Sequence, residues 1–160
     1  MKLYIRQRVF SLTDRYDIYD EFENPYFHVQ SEFLTLTPKL HLYDQTGAEV
    51  YFIKRKLTFW LASYEIYRQG TYCAGIQQQF RWFRSHLTVE SPYGRMEIRG
   101  SFWEMQYEIF CGGVFVGAVR KKWLSWGDSY ELEIADESDP GFFCALVIAI
   151  DNCIHNGQNS

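Results

Sequence analysis

The sequence has no excess of positive charge. Its 160 residues include 16 Lys and Arg against 20 Asp and Glu, which gives a formal net charge of −4 at pH 7. Proteins that bind the phosphate backbone of nucleic acids usually carry a basic domain or stripe. The charge balance therefore argues against a nucleic-acid-binding protein.

Cysteines are few, and no two of them have the CxxC spacing of a redox or zinc motif. We see no secretory signal at the start of the sequence, and we therefore expect a cytoplasmic protein. In that reducing compartment we predict buried, free thiols, with no metal and no cofactor. The four cysteines are Cys73, Cys111, Cys144 and Cys153.

The short motifs of common catalytic and phosphate-binding sites are missing, namely HExxH, GxSxG, GxxxxGK[ST] and GxGxxG. The histidines are dispersed at His28, His41, His86 and His155. His155 follows Asp151 by four residues, which favours a helix-end ion pair over catalysis. We expect no enzyme, although a pocket that gathers His, Asp and Cys from separate strands would revive that alternative.

One apolar run stands out, and it is too short to cross a membrane. Residues 142–150 are apolar on every side, yet nine helical residues rise only about 14 Å, against a hydrocarbon core of about 30 Å. Asp139 and Pro140 are typical of an N-cap and a first helical position. We predict a helix over 141–155 that is surrounded by protein. A central strand is the structural alternative.

The rest of the sequence is rich in aromatic residues, at 19%, and alternates with period two. Met105, Tyr107 and Ile109, for example, alternate with polar residues, which predicts strands with one buried face. Turn residues such as Gly112-Gly113 separate the strands. We predict about twelve strands, near residues 2–8, 15–20, 26–32, 39–43, 49–56, 62–68, 71–79, 85–90, 95–100, 104–110, 114–122 and 129–135.

Many antiparallel strands and one apolar helix together predict a mainly β fold. We expect a closed antiparallel β-barrel that encloses the C-terminal helix, because closure removes exposed strand edges and a wide barrel can hold a helix. The length predicts one domain, residues 1–155, followed by a polar tail, residues 156–160. Asp151 ends the apolar run, and we expect its carboxyl group to satisfy buried donors.

Four strings in order resemble the LURP-one-related family, particularly its short bacterial YxjI-like members. The similarity extends over residues 2 to 155, with comparable spacing. The strings are 80–83 (FRWF), 98–104 (IRGSFWE), 119–130 (VRKKWLSWGDSY) and 145–151 (ALVIAID). The resemblance implies a Tubby C-terminal-like barrel threaded by a hydrophobic helix, with phospholipid scramblases as distant relatives. It implies no particular reaction.

Scramblases place acidic residues before the last strand, in a proposed calcium-binding segment. The corresponding segment here, residues 127–132, keeps a carboxylate at the matching place only in Asp128. Calcium takes six or more oxygen ligands, so this is a poor site. Asp136, Glu137 and Asp139 follow, and acids before a helix are expected from its dipole.

Two basic runs are the candidate binding residues. They are Lys54, Arg55 and Lys56, and Arg120, Lys121 and Lys122. If the two strand ends meet, we expect the runs to form a patch that binds anionic phospholipid headgroups. The chain would then lie peripherally at the membrane. The alternative partner is a protein of unspecified identity. Lys and Arg side chains on strands also prevent edge-to-edge aggregation of sheets, which explains the two basic runs structurally, without a ligand.

Two function classes follow. The first is a non-enzymatic binding or scaffold module that contacts anionic lipid headgroups through the basic patch. The second is a carrier of a small apolar ligand at the barrel interior or rim, suggested by the aromatic content. That content includes Trp60, Trp82, Trp103, Trp123 and Trp126.

Overall fold

The computed structural model describes residues 1–10, 13–56, 63–77, 86–124, 127–135 and 139–155. Over these residues the chain forms the predicted twelve β-strands and one C-terminal α-helix. The strands are β1 Lys2–Phe10, β2 Thr13–Asp20, β3 Pro25–Ser31, β4 Lys39–Tyr43, β5 Glu49–Lys56, β6 Ser63–Arg68, β7 Thr71–Gln77, β8 His86–Ser91, β9 Gly94–Ser101, β10 Gln106–Cys111, β11 Val114–Leu124 and β12 Gly127–Ile134. The helix α1 is Pro140–His155. The predicted tail, residues 156–160, lies outside the described residues.

The strands form a single antiparallel sheet in the order β7-β6-β5-β4-β3-β2-β1-β12-β11-β10-β9-β8. The sheet curls so that its two outer strands, β7 and β8, come next to each other. Backbone hydrogen bonds join all the pairs of strands that are neighbours in this order. No backbone hydrogen bond joins residues 71–77 of β7 to residues 86–91 of β8. We call this junction the seam, and because of it the barrel is nearly closed.

The connections between strands alternate between two ends of the barrel, because consecutive strands run in opposite directions. The β3–β4 end holds the connections that follow the odd-numbered strands. The β2–β3 end holds those that follow the even-numbered strands, including the one from β12 to α1. Gly112 and Gly113 turn the chain at the β2–β3 end with φ of 56° and 83°, values that glycine adopts without strain.

The helix fills the barrel axis, as the sequence predicts. Every residue from Phe142 to Ile150 is at most 5% exposed. Alternate strand residues, such as Tyr64 and Ile66 of β6, point inward and pack around the helix. The hydrophobic core is therefore one continuous layer between the strands and α1.

The start of α1 has the predicted cap. The backbone N–H of Phe142 donates a 2.9 Å hydrogen bond to Oδ1 of Asp139, which satisfies one of the unpaired donors of the first turn. Among the described residues, no helix is long and apolar enough to cross a bilayer.

Candidate functional site

The two predicted basic runs lie on different walls of the barrel. Lys54–Lys56 ends β5, whereas Arg120–Lys122 belongs to β11. β4, β3, β2, β1 and β12 lie between these strands in the sheet. Six strand spacings of about 4.8 Å separate the runs by roughly 29 Å along the sheet. The runs do not converge into one headgroup pocket, although both approach the β3–β4 end.

Two carboxylates on the neighbouring strand β12 pair with the β11 run. Arg120 lies 3.0 Å from Glu133 and 3.8 Å from Glu131, and Lys122 lies 3.2 Å from Glu131. Arg120 holds the pKa of Glu133 below its usual value through its hydrogen bond and charge. Glu131 and Glu133 therefore offset part of the positive charge of this run, and Glu131 is shared with Lys2 at 3.7 Å.

A more prominent feature of the β3–β4 end is the β3–β4 loop, residues 32–38. Phe33 is 53% exposed, Leu34 87% and Leu36 101%. Single exposed apolar residues are common on protein surfaces, but three in four consecutive positions form a cluster that suggests an interaction site. This cluster was not predicted from the sequence, although FLTL before Thr37 and Pro38 is an apolar stretch in a turn position.

Hydrogen bonds hold the backbone of the loop that carries these exposed side chains. The N–H of Glu32 donates to the carbonyl of Lys39 at 2.9 Å, and the N–H of Arg55 donates to the carbonyl of Pro38 at 3.0 Å. The hydroxyl of Thr35 donates to the carbonyl of Thr37 at 2.7 Å. Both ends of the loop and its tip are thus held by hydrogen bonds.

The basic run of β5 borders this loop. Lys39 lies opposite Lys54 in the β4–β5 ladder, and Arg55 bonds to the loop through its backbone. Two carboxylates offset part of the charge: Glu32 lies 3.3 Å from Lys39, and Glu65 lies 3.7 Å from Lys54 and 3.5 Å from Lys56. Apolar side chains and a surplus of cations therefore occur together at one place.

His41 lies at the base of the loop, between two carboxylates. Its Nε2 is 2.8 Å from Glu32 and its Nδ1 is 2.5 Å from Glu49. Burial lowers the pKa of His41, but the hydrogen bonds and charges of Glu49 and Glu32 outweigh that effect and raise the pKa above its usual value. The ring bridges Glu32 to Glu49 of β5 and so steadies the start of the loop.

A second site occupies the β2–β3 end, where the seam widens into a cavity of about 520 Å³. The turns before β7 and β9 and the facing parts of β7 and β8 line it. Three tyrosines, Tyr51, Tyr72 and Tyr93, contribute rings to the lining, and Arg68 and Glu90 contribute opposite charges.

Asp139 fixes the floor of this cavity. The hydroxyl of Tyr51 donates to its Oδ2 at 2.6 Å, Tyr93 donates to the same oxygen, and Arg68 approaches it at 3.4 Å. Burial and the hydrogen bond to Asp139 raise the pKa of Tyr93 to about 12 and raise the pKa of Tyr51 further. Both tyrosines are therefore neutral donors at physiological pH.

Comparison with known proteins identifies the family. The model of the LURP-one-related family matches residues 1–151. The chain belongs to the LURP-one-related family. It is 31% identical over 159 residues to "Uncharacterized protein YxjI" of Bacillus subtilis (strain 168), covering 99% of this chain and 97% of that one. It is also similar to an X-ray structure of an Arabidopsis thaliana protein, with a TM-score of 0.66, 16% identity and coverage of 94% and 90%, a likeness that shows the fold alone.

In this LURP-one-related barrel, Asp151 has the structural role predicted from the sequence. Tyr16 and Tyr130 donate hydrogen bonds of 3.0 Å to its two carboxyl oxygens inside the barrel. The side chain of His155, its proposed partner, lies outside the described residues.

The acidic residues of β12 and of the segment before α1 are described only in part. No group of three His, Cys, Asp or Glu side chains in the part of the chain that the structure describes could hold a metal ion. Asp139 caps the helix, and the side chains of Asp128, Asp136 and Glu137 lie outside that part.

The four cysteines of the family member are free. Cys144 and Cys153 are buried as predicted, and burial raises the pKa of the Cys144 thiol. Cys73 and Cys111 are only half-buried, so the prediction of burial was wrong for these two. Cys73 lies on the face of β7 opposite to the buried Ala74 and Ile76, and Cys111 is the last residue of β10, next to a turn.

Proposed function

We propose that this LURP-one-related chain is a cytoplasmic, non-enzymatic binding module that docks peripherally on anionic lipid surfaces with its β3–β4 end. The observation that supports this best is the exposure of Phe33, Leu34 and Leu36 beside the cations of β5. Peripheral membrane proteins combine two such contributions, since apolar insertion and electrostatic attraction are each weak alone.

The expected contributions to the binding free energy are of the size that reversible docking requires. Full burial of a Phe or Leu side chain contributes about 1.5–3 kcal/mol. Each Lys or Arg near an anionic membrane contributes about 1 kcal/mol. Lys54 and Lys56 share one carboxylate, Glu65, so the β5 run retains net positive charge. Three inserted side chains and the surplus cations together give useful binding without a membrane-spanning segment.

The β11 run has a secondary role in this proposal. Arg120, Lys121 and Lys122 approach the same end of the barrel, so a flat surface can meet them together with the β5 run. Glu131 and Glu133 offset their charge, which reduces their contribution. Substitutions in the β11 run should therefore weaken docking less than substitutions in the β5 run.

Carriage of a small apolar ligand is the second candidate, favoured by the three tyrosine rings of the seam cavity. The helix occupies the barrel axis, so the rim is the place for such a ligand. Arg68 and Glu90 in the lining favour a ligand with polar groups instead. The side chains of Trp60, Trp82, Trp123 and Trp126 lie outside the described residues, and Trp103 is exposed to solvent.

Co-sedimentation with vesicles tests the lipid proposal. We expect the whole chain to bind vesicles that contain both phosphatidylcholine and phosphatidylserine, and to bind them less at physiological salt than at low salt. It should bind vesicles of pure phosphatidylcholine only weakly. Salt screens the cations but does not affect apolar insertion. Absence of binding to the anionic vesicles at low salt would contradict the proposal.

A further inference from the structure

We propose that the seam cavity at the β2–β3 end binds an extended peptide segment, which pairs with the edges of β7 and β8 where these strands line the cavity. This site is at the opposite end of the barrel from the lipid-docking loop and is independent of it. Its occupant is a partner chain that presents a few residues in extended conformation, with at least one large apolar side chain.

The seam supplies the backbone groups for such pairing. β7 and β8 are the two outer strands of the sheet, and no backbone hydrogen bond joins residues 71–77 to residues 86–91. A strand edge carries a row of donors and acceptors that readily pair with another chain. Peptides that bind to strand edges gain affinity from these main-chain hydrogen bonds and specificity from adjacent pockets.

The cavity lies where a peptide would reach these edges. Thr71 and Cys73 line it from β7, and Glu90 and Ser91 line it from β8. Its volume of about 520 Å³ is in the usual range for ligand sites, which is roughly 300–1,000 Å³. The site therefore combines two strand edges that do not pair with each other and a pocket large enough for a side chain and its backbone.

The floor of the cavity is rigid and aromatic. The rings of Tyr51 and Tyr93 both make edge contacts with Phe142 of the buried helix, at centroid distances of 6.0 and 5.3 Å. Asp139 fixes both hydroxyls. Aromatic side chains held in this way form a preorganised surface for an apolar side chain.

The charges of the rim favour a peptide over an apolar molecule or an anionic lipid. Arg68 is 58% exposed and has donors beyond the one that approaches Asp139. Glu90 faces the cavity from β8 and is also exposed. A lining with both charge signs matches a peptide that carries a basic and an acidic residue, or a chain terminus, on either side of its apolar anchor.

Selection of peptides from a random displayed library on the whole chain tests this inference. We expect selected peptides, made synthetically, to bind and to slow amide hydrogen exchange in Thr71–Gln77 and His86–Ser91. Arg68→Gln and Glu90→Gln should weaken binding at least fivefold. The matched controls Arg15→Gln on β2 and Glu108→Gln on β10, which alter exposed residues away from the cavity, should leave binding unchanged.

Several results would overturn the inference. They are a failure to enrich any peptide, protection located away from β7 and β8, equal weakening by the control variants, or dimerisation through the seam without peptide. Binding of the apolar dye 8-anilinonaphthalene-1-sulfonate in the cavity with no peptide enriched would favour a small-molecule site instead. None of these results bears on vesicle binding, so the two proposals fail separately.

Discussion

At the scale of single residues, Asp151 shows how a carboxyl group is accommodated inside an apolar barrel. It follows Ile150 at the end of the apolar run, is 2% exposed and accepts hydrogen bonds from Tyr16 and Tyr130. Asn152 adds a further bond to the hydroxyl of Tyr16 at 2.9 Å. The network links the last turns of α1 to β2 and β12.

Asp151→Ala should therefore destabilise the fold by about 2–4 kcal/mol, because two buried hydroxyls lose their acceptor. Urea unfolding of wild type and variant measures this difference. The control Glu108→Ala, at an exposed position of β10, should stay within about 0.5 kcal/mol of wild type. An Asp151→Ala variant as stable as wild type would show that the network contributes nothing.

His41 gives the second prediction at this scale. Its pKa is raised because the carboxylates of Glu49 and Glu32 outweigh the effect of burial, and Lys39 also faces Glu32. The folded state holds the proton more tightly than the unfolded state, so the stabilisation is complete below the unfolded pKa of about 6.5 and is lost as pH rises through the folded pKa.

We therefore expect wild-type stability to fall with rising pH above about 6.5, and His41→Gln to remove that part of the slope. Urea midpoints measured over this pH range for wild type, His41→Gln and the exposed-histidine control His86→Gln provide the comparison. An unchanged slope in His41→Gln would contradict the bridging role of this ring.

At the scale of elements, the helix α1 is the centre of the fold. Its side chains meet strands on all sides, and Leu146 is 0% exposed. Leu146→Asp should prevent folding, because an unpaired charge in the core costs more than a domain of this size can tolerate. Circular dichroism and solubility report the outcome. The control Leu146→Met should lower the free energy of unfolding by less than about 1.5 kcal/mol. A folded Leu146→Asp variant would mean that the helix is not central to the fold.

The bounds of the strands and the helix show which structural features a sequence pattern predicts. Alternation predicts strands well, because inward side chains recur with period two, and the cap at Asp139 marks the start of α1. β10 begins at Gln106 rather than at the predicted residue 104, because residues 102–105 form a turn in which Met105 has φ of 49°. Met105 is still buried, which explains why the alternation extended the predicted strand too far.

Other features depend on contacts between distant strands, so no local pattern reveals them. The pairing of Arg120 with Glu131 and Glu133 follows from the neighbouring positions of β11 and β12. The seam between β7 and β8 follows from the closure of the whole sheet. The two basic runs are visible in the sequence, but their separation by five strands was not predictable from it.

At the scale of the whole molecule, the two ends of the barrel differ in character. The β3–β4 end presents Phe33, Leu34 and Leu36 beside the cations of β5. The β2–β3 end carries exposed acidic turn residues, including Glu21 and Glu23, and the seam cavity. Under the two proposals, this polarity would orient the barrel on an anionic surface with the cavity facing away, so that a membrane and a peptide partner could bind at the same time.

The most direct test of lipid docking compares loop variants in vesicle co-sedimentation. Phe33→Ser, Leu34→Asn and Leu36→Ser together remove the exposed apolar side chains, and Asn suits the positive φ of 58° at position 34. The control is Phe22→Ser, which removes a 77% exposed ring at the β2–β3 end. We predict that the loop variant loses affinity for phosphatidylserine vesicles at least tenfold while the control binds like wild type. Wild-type affinity in the folded loop variant would contradict docking through the β3–β4 loop.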